Sequence, residues 1–335
     1  MATGLLQRTW NRSFAASTDT RLFFRNGLAK AFFFLLILSP FASLFTRLSC
    51  KYKHTTGNKL LIGYASGYSF EVVHSLSSAF HLVTDSTASI VLFSELRGRE
   101  RRQLEQKFHR LRLVDPRSLD HVVDMSWGQG VLSKPAFFRY FVTHNWLLPR
   151  YDDYEYIIVS DTRDIAIFGD PFVQFYGMGN HVLTFTERNK YIDDPRWNQR
   201  WVRNCYGEPF LKGIMQEQIT CCGLVGGTSH AMKTYLHHFL QELLKKQGCD
   251  EQGIDTAVHV WIVHKHPDIV KVIDAEAALI RHCPASIVKD SRGRVLNKLG
   301  QPYALIHQAD RVPDIWEPYY RQHAKNFDDN LTLDS

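Results

Sequence analysis

Short apolar runs alternate with longer segments of helical spacing from residue 59 onward. The short runs predict strands, and the longer segments predict amphipathic helices. Strands are predicted at residues 60–64, 90–93, 111–114 and 156–159, and helices at residues 70–82, 100–110 and 134–148. Because strands that alternate with helices form parallel sheets, the pattern predicts an α/β fold with a mostly parallel, Rossmann-like central sheet flanked by helices.

Carboxylates cluster where the last of these predicted strands ends. Residues 156–159 form a continuous apolar run, which is typical of a strand buried on both faces, and Asp161 and Asp164 follow it closely. Ligands of such sheets bind beyond the carboxyl ends of the strands. Carboxylate oxygens suit Mg²⁺ and Mn²⁺, so this edge is a candidate site for a divalent cation. The alternative is an acidic surface turn in which Arg163 pairs with Asp164.

The N-terminal segment has the features of a membrane anchor. Residues 27–46 contain one charge, Lys30, and as a helix they would span roughly 30 Å, the thickness of a hydrocarbon core. Basic residues predominate before this segment, which predicts a cytoplasmic N-terminus and a lumenal body. A cleaved signal peptide and a mitochondrial presequence are the alternatives. The predicted organisation is a basic tail (1–26), a signal-anchor transmembrane helix (27–46), a short stem (47–58), an α/β domain (59–320) and a polar tail (321–335).

The net charge of the chain, +6, belongs to this N-terminal part. Residues 1–53 carry a net charge of +7, so the remainder of the chain carries −1. A nearly neutral body lacks the basic face that duplex binding requires, and we therefore expect no nucleic-acid partner.

The six cysteines are compatible with two interpretations. An oxidising lumen would permit disulfides, whereas buried free thiols are the alternative. The adjacent residues Cys221 and Cys222 cannot both bridge to one nearby partner, and the pairing is otherwise open. No C-x-x-C pair occurs, which argues against a zinc ribbon or a thioredoxin-like site.

The segment from Ile157 to Phe172, IIVSDTRDIAIFGDPF, resembles the metal-binding motif of the GT-A fold glycosyltransferases. That motif consists of a strand, Asp-x-Asp, an apolar run and an Asp-Pro or similar turn. This chain departs from it in having Asp-x-x-Asp. Alignment on Asp170 places Asp164 at the last acid of the motif. The resemblance implies that Asp164 binds the metal and that Asp161 contacts the donor's ribose or, through water, the metal.

The resemblance covers residues 59–320, which would be a GT-A catalytic domain, and implies further donor and metal contacts. A late apolar strand leads to His307, which would complete the metal site, and an imidazole ligand favours Mn²⁺ over Mg²⁺. Residues 219–227 are expected to form a strand that enters a glycine turn close to the sugar. The implied donor-binding residues are Gly63, Tyr64, Lys134, Arg139, Asp161, Arg163, Gly226 and Gly227, and the implied metal ligands are Asp161, Asp164 and His307.

Carboxylates before and within a later predicted helix are the candidates for acceptor chemistry. Asp250, Glu251 and Asp255 resemble the acidic segment that opens a helix near the acceptor in this family, and one of them would act as the catalytic base. They could equally be acidic residues that stabilise the first turn of a helix through its dipole. Glu187 is a further candidate base. The aromatic residues that would line an acceptor groove, or alternatively pack in the core, are Trp197, Trp201, Tyr206 and Phe210.

Together these features predict a metal-dependent glycosyltransferase of the Golgi or ER membrane. It would be a single-pass type II protein with a nucleotide-diphosphate sugar as donor and Mn²⁺ (or Mg²⁺) as cofactor. The acceptor would be a hydroxyl of a glycan, glycoprotein or glycolipid, with retaining and inverting mechanisms both open. One alternative is a non-catalytic carbohydrate-binding or scaffold protein with a GT-A-like fold. Another is a sugar nucleotidyltransferase, although residues 65–68 lack the basic side chains that its phosphate-binding loop normally has.

Overall fold

The computed structural model describes residues 58–119, 135–246, 249, 252–282 and 287–324. The predicted basic tail and signal-anchor helix lie outside the described residues, as do Lys134, Asp250 and Glu251. In the described part of the chain, no helix combines the length and the apolar character that crossing a membrane requires.

Strands and helices alternate through the first half of the described chain, as the hydrophobic pattern predicts. The strands are β1 (Lys59–Tyr64), β2 (Ala88–Phe93), β3 (Leu111–Val114), β4 (Tyr156–Ser160), β5 (Ile165–Ile167), β6 (Val182–Lys190), β7 (Gln218–Thr228), β8 (Val270–Ile273), β9 (Ile280–His282), β10 (Val288–Lys289), β11 (Val295–Leu296) and β12 (Leu305–His307). The α-helices are α1 (Phe70–Val83), α2 (Gly98–Lys107), α3 (Pro135–Leu147), α4 (Asn198–Tyr206), α5 (Glu208–Ile214), α6 (Ser229–Lys245), α7 (Ile254–Lys265) and α8 (Pro313–Ala324).

Seven strands form the central sheet in the order β3-β2-β1-β4-β7-β6-β8. The pairs β3–β2, β2–β1, β1–β4 and β6–β8 are parallel, whereas β7 runs antiparallel to both of its neighbours. This arrangement confirms the predicted mixed α/β fold with a mostly parallel central sheet. A second sheet, in the order β5-β12-β9, carries the chain that follows the acidic loop after β4.

Both faces of the central sheet are covered, which explains why its strands are almost wholly apolar. In β1, Leu61 packs on the side of α1, α2, α8 and the second sheet, while Leu60 and Ile62 pack on the side of α3, α6 and α7. All three side chains are completely buried. The carboxyl ends of β1 and β4 therefore form an edge between two well-packed layers.

The helix predicted at residues 100–110 is shorter in the structure, since α2 ends at Lys107. The next residue, Phe108, is buried in the core. The carbonyl oxygen of Arg110 accepts a hydrogen bond of 2.9 Å from the backbone nitrogen of Ile90, which starts the pairing of β3 with β2. The helix ends at Lys107 because Phe108 has to be buried in the core and the chain has to enter β3 at Leu111.

The described cysteines fall into both of the predicted classes. Cys205 of α4 forms a disulfide with Cys249, which follows α6, across a Cα–Cα distance of 5.3 Å. Cys221 and Cys222 are buried free thiols in β7.

Candidate functional site

Strand register explains why the acidic loop and the late histidine meet. Asp161 and Asp164 lie in the loop between β4 and β5, and β5 pairs antiparallel with β12 so that Ile165 lies opposite His307. Asp164, one residue before Ile165, is therefore beside His307. The backbone nitrogen of Ala309 donates to the carbonyl oxygen of Asp164 at 2.9 Å and holds the two segments together.

Three possible metal ligands converge at this point. His307 Nε2 lies 3.1 Å from Asp161 Oδ2 and 3.7 Å from Asp164 Oδ1. The ligand atoms of the three residues lie within 4.8 Å of one another. The predicted convergence of Asp164 and His307 is thus present. Two carboxylates and one imidazole are a donor set that fits a divalent cation such as Mn²⁺.

The charges of the three residues depend on one another. Burial disfavours the ionised form of Asp161, but the Arg139 charge and the His307 hydrogen bond lower its pKa overall. Burial also disfavours protonation of His307, yet the hydrogen bond to Asp161 and the charges of both aspartates raise its pKa. Burial raises the pKa of Asp164. A proton on His307 therefore supplies positive charge at a place where a cation would otherwise supply it.

Arg139 of α3 links this cluster to α7. Its guanidinium pairs with the Asp161 carboxylate and, at 2.5 Å, with Asp255 Oδ2 in the first turn of α7. Burial disfavours the charge on Arg139, whereas Tyr140 and the two carboxylates raise its pKa. Burial raises the pKa of Asp255, although Arg139 acts in the opposite direction. The structure thus joins the predicted donor-binding arginine to a predicted catalytic acid.

A cavity of about 730 Å³ borders this network, and its volume is within the usual range for small-molecule sites. Trp197 and Trp201 of the predicted acceptor groove contribute to its wall, whereas Tyr206 and Phe210 pack against Trp261. The carboxylates and cations in the lining are Asp161, Glu187, Asp194, Asp255, Arg139 and Arg311.

Gly63 and Tyr64, predicted to contact the donor, lie at the end of β1 beside the network. Together with Arg139 and Asp161 they border a small cavity of about 10 Å³. A Cβ on Gly63 would lie 2.4 Å from Thr162 Cγ2, so the glycine is needed for close packing of β1 against the acidic loop.

The glycine turn predicted at Gly226 and Gly227 is wrong. Both residues lie within β7, where they pair with Ile158 and Ile157 of β4. A Cβ on Gly226 would meet the Phe175 ring, and one on Gly227 would meet the carbonyl oxygen of His181. Neither residue borders the large cavity. Their lack of a side chain allows the close packing of β7 against the Phe175 ring and the His181 backbone, and their predicted donor-binding role stays a prediction.

Arg163 pairs with Asp310 at 3.4 Å, and its side chain is 59% exposed. The expected alternative pairing with Asp164 is therefore not the arrangement found. Lys134, Asp250 and Glu251 lie outside the described residues, so their predicted roles stay predictions.

Sequence reasoning missed Gly223, on which the convergence depends. A Cβ at this position would lie 2.3 Å from His307 Cε1 and 2.6 Å from Asp161 Oδ2. The carbonyl oxygen of Gly223 also accepts a hydrogen bond of 2.7 Å from the backbone nitrogen of Asp161. The sequence signal for Gly223 was its place in the apolar run 219–227. In that run the adjacent Gly226 and Gly227 were interpreted as the functional glycines instead.

Gln308 and His282 were also missed. Gln308, directly after His307, has a φ of +58°, which is uncommon for a residue other than glycine, and it borders the large cavity. His282 ends β9 and lies opposite His307 in the parallel β9–β12 pair. The sequence signal for His282 was its position two residues after the apolar Ile280. The strand β9 is only three residues long, which is too short for a hydrophobic pattern to predict.

No protein-family model matches this chain, and a search of curated proteins finds no match.

Proposed function

We propose that this protein is a metal-dependent glycosyltransferase of the GT-A type that uses a nucleotide-diphosphate sugar. The observation that carries the proposal is the convergence of Asp161, Asp164 and His307 just beyond the carboxyl end of β4. Asp161 also borders the cavity of about 730 Å³, so a ligand there would reach the candidate cation site.

The charge of the cavity favours a metal-dependent reaction. Its lining contains four carboxylates and two arginines, and Arg139 already pairs with two of those carboxylates. A diphosphate would therefore meet a lining with excess negative charge. When bound by Asp161, Asp164 and His307, a divalent cation supplies Lewis-acid stabilisation to the diphosphate leaving group.

The side chains around the cavity suit the remaining steps. Burial raises the pKa of both Glu187 and Asp255, which brings each carboxylate closer to the pKa of an effective general base at neutral pH. The indole rings of Trp197 and Trp201 lie 5.9 Å apart and present an apolar surface for an acceptor sugar. We propose a glycan, glycoprotein or glycolipid as the acceptor.

We further propose that the protein is a type II membrane protein of the Golgi or ER. The support is the apolar segment 27–46 together with the Cys205–Cys249 disulfide, because disulfides persist in oxidising compartments.

The test is hydrolysis of a panel of nucleotide sugars by the full-length chain in detergent, with Mn²⁺ and after chelation. Asp164→Asn is expected to lower turnover on the order of 10²-fold, the effect of removing one transition-state charge partner. Asp310→Asn is the matched control: this carboxylate lies three residues after His307 but pairs with Arg163.

Equal turnover of Asp164→Asn and the unaltered chain would refute the assigned metal role.

Calorimetry with nucleoside diphosphates addresses the non-catalytic alternative. Nucleotide binding that requires Mn²⁺ supports an enzyme, whereas sugar binding without nucleotide affinity supports a carbohydrate-binding protein.

A further inference from the structure

A second group of possible ligands lies on the other side of the His307 ring. Cys221 of β7, His282 at the end of β9 and His307 at the end of β12 are all buried. His307 Nδ1 lies 2.7 Å from His282 Nδ1 and 3.8 Å from Cys221 Sγ. One ligand atom from each of the three residues lies within 4.8 Å of the others.

We propose that Cys221, His282 and His307 form a zinc site that shares His307 with the carboxylate site, so that zinc bound here excludes the cation there. One thiolate and two imidazoles are zinc's preferred ligands, whereas the carboxylate-rich group suits harder cations. The zinc site stands on its own geometry. That zinc bound here would also inhibit glycosyl transfer, by excluding the cation, rests on the proposed function.

The two nitrogens of His307 make the sites mutually exclusive. A neutral imidazole has one nitrogen with a free lone pair and one that carries a hydrogen. If Nδ1 binds zinc, Nε2 carries the hydrogen and donates it to Asp161 Oδ2 at 3.1 Å, the usual support for a zinc-bound histidine. If Nε2 binds the outer cation, Nδ1 carries the hydrogen and donates it to His282 Nδ1.

The surroundings of the cluster suit metal entry. Cys221 borders the large cavity, so zinc can reach the thiol from there. Binding converts the Cys221 thiol to a thiolate and His307 to its neutral form, and the released protons leave through the cavity that Cys221 borders. Within the described residues His282 Nε2 has no hydrogen-bond partner, which leaves His307 as the polar contact of this buried ring.

The first experiment uses Co²⁺ as a spectroscopic substitute for zinc in the full-length chain. A cobalt–thiolate bond gives a near-ultraviolet charge-transfer absorption, which we expect in the unaltered chain and not in Cys221→Ser. Cys222→Ser is the matched control, because Cys222 is an adjacent buried thiol that contacts Thr256 Oγ1 at 3.3 Å instead of His307. We expect this control to keep the absorption.

His282→Gln provides an independent test if Cys221→Ser fails to fold. Loss of this direct ligand is expected to weaken Co²⁺ and Zn²⁺ binding by more than the roughly 10–100-fold that loss of an outer-shell partner causes. Equal absorption in Cys221→Ser and the unaltered chain, or unchanged affinity in His282→Gln, would overturn the zinc site.

The second experiment tests exclusion. Added Mn²⁺ is expected to diminish the cobalt–thiolate absorption of the unaltered chain, and to do so less in Asp164→Asn, which lacks one outer ligand but keeps the Asp161–His307 contact. Simultaneous binding of both metals without mutual effect would overturn the exclusion. The cobalt absorption is measured without donor or acceptor, so a failure of the glycosyltransferase proposal would leave this result intact and be recognised separately.

Discussion

At the scale of single residues, the candidate site depends on a position that has no side chain. Gly223 leaves the space in which the His307 ring and the Asp161 carboxylate meet. A Cβ there would overlap both groups, and neither can withdraw easily, because His307 is held by β12 and Asp161 by its backbone hydrogen bond to Gly223 itself.

Gly223→Ala is expected to separate Asp161 from His307. We predict a loss of about 1–3 kcal/mol in the free energy of unfolding, the usual effect of overpacking. Donor hydrolysis with Mn²⁺ should fall by roughly 10²-fold, since displacement of reacting groups by about 1 Å can have that effect. Chemical denaturation and turnover assays measure the two quantities.

Gly213→Ala is the matched control for this substitution. Gly213 lies in α5, and a Cβ there would meet no atom of the described residues beyond its own helix backbone and chain neighbours within 4 Å, so the change should be neutral or stabilise the protein by about 0.4–1 kcal/mol. If the two alanine variants behave alike, the proposed dependence on Gly223 is incorrect.

At the scale of elements, a buried lysine joins β1 to two loops at the end of the sheet opposite the site. Lys59 Nζ lies 2.7 Å from Asp85 Oδ2, before β2, and 3.6 Å from Asp170 Oδ2, after β5. Burial disfavours ionisation of Asp85, but hydrogen bonds from Lys59 and Thr87 lower its pKa to about 2.

The pairing predicts a pH-dependent contribution to stability. Because the folded-state pKa of Asp85 is depressed, its contribution is present above about pH 4, the unfolded value, and is lost as the pH falls towards 2. Asp85→Asn should lower the free energy of unfolding by about 1 kcal/mol at pH 7, since the half-exposed carboxylate is screened by solvent. The difference should shrink between pH 4 and pH 2 in urea titrations.

The same substitution in a Lys59→Met background supplies the control. Without the lysine, the effect of Asp85→Asn and its pH dependence should decrease to the part that the Thr87 hydrogen bonds contribute, because the double-mutant cycle removes the Lys59–Asp85 pair. An unchanged pH dependence in that background would show that Lys59 is not its cause.

At the scale of the whole described domain, one disulfide encloses β7, the strand that contributes Cys221 and Gly223 to the site. The Cys205–Cys249 disulfide joins positions 44 residues apart, and the enclosed segment includes β7 with Cys221 and Gly223. A bridge of this kind restricts the unfolded chain and thereby stabilises the folded one.

Cys249→Ser is expected to lower the free energy of unfolding by about 2–4 kcal/mol. Reductant should destabilise the unaltered chain by a similar amount and leave Cys249→Ser unaffected. Denaturation curves with and without reductant measure both effects. A variant that responds to reductant as strongly as the unaltered chain would show that another bridge is responsible.

Much of the fold could be predicted because a buried element has a recognisable pattern of apolar residues in its own local sequence. Residues 156–159 are apolar without interruption since β4 is covered on both faces, and the two aspartates follow where that cover ends. Gly226 and Gly227 show the limit of such reasoning. A glycine pair has the same sequence signature in a turn and in a tightly packed strand, and here it is the neighbouring Phe175 ring and His181 backbone that require it.

The sequence by itself determined the alternating strands and helices of the first half of the described chain, that the sheet is mostly parallel, and that carboxylates lie at the end of β4. Only the tertiary structure decided that Ile165 faces His307, that Arg139 reaches Asp255, and that Cys205 pairs with Cys249. The physical reason is the sequence separation over which each kind of information acts. Hydrophobic periodicity reports the surroundings of one element, whereas contacts between residues tens to more than a hundred positions apart follow from strand order and register, which no local pattern encodes.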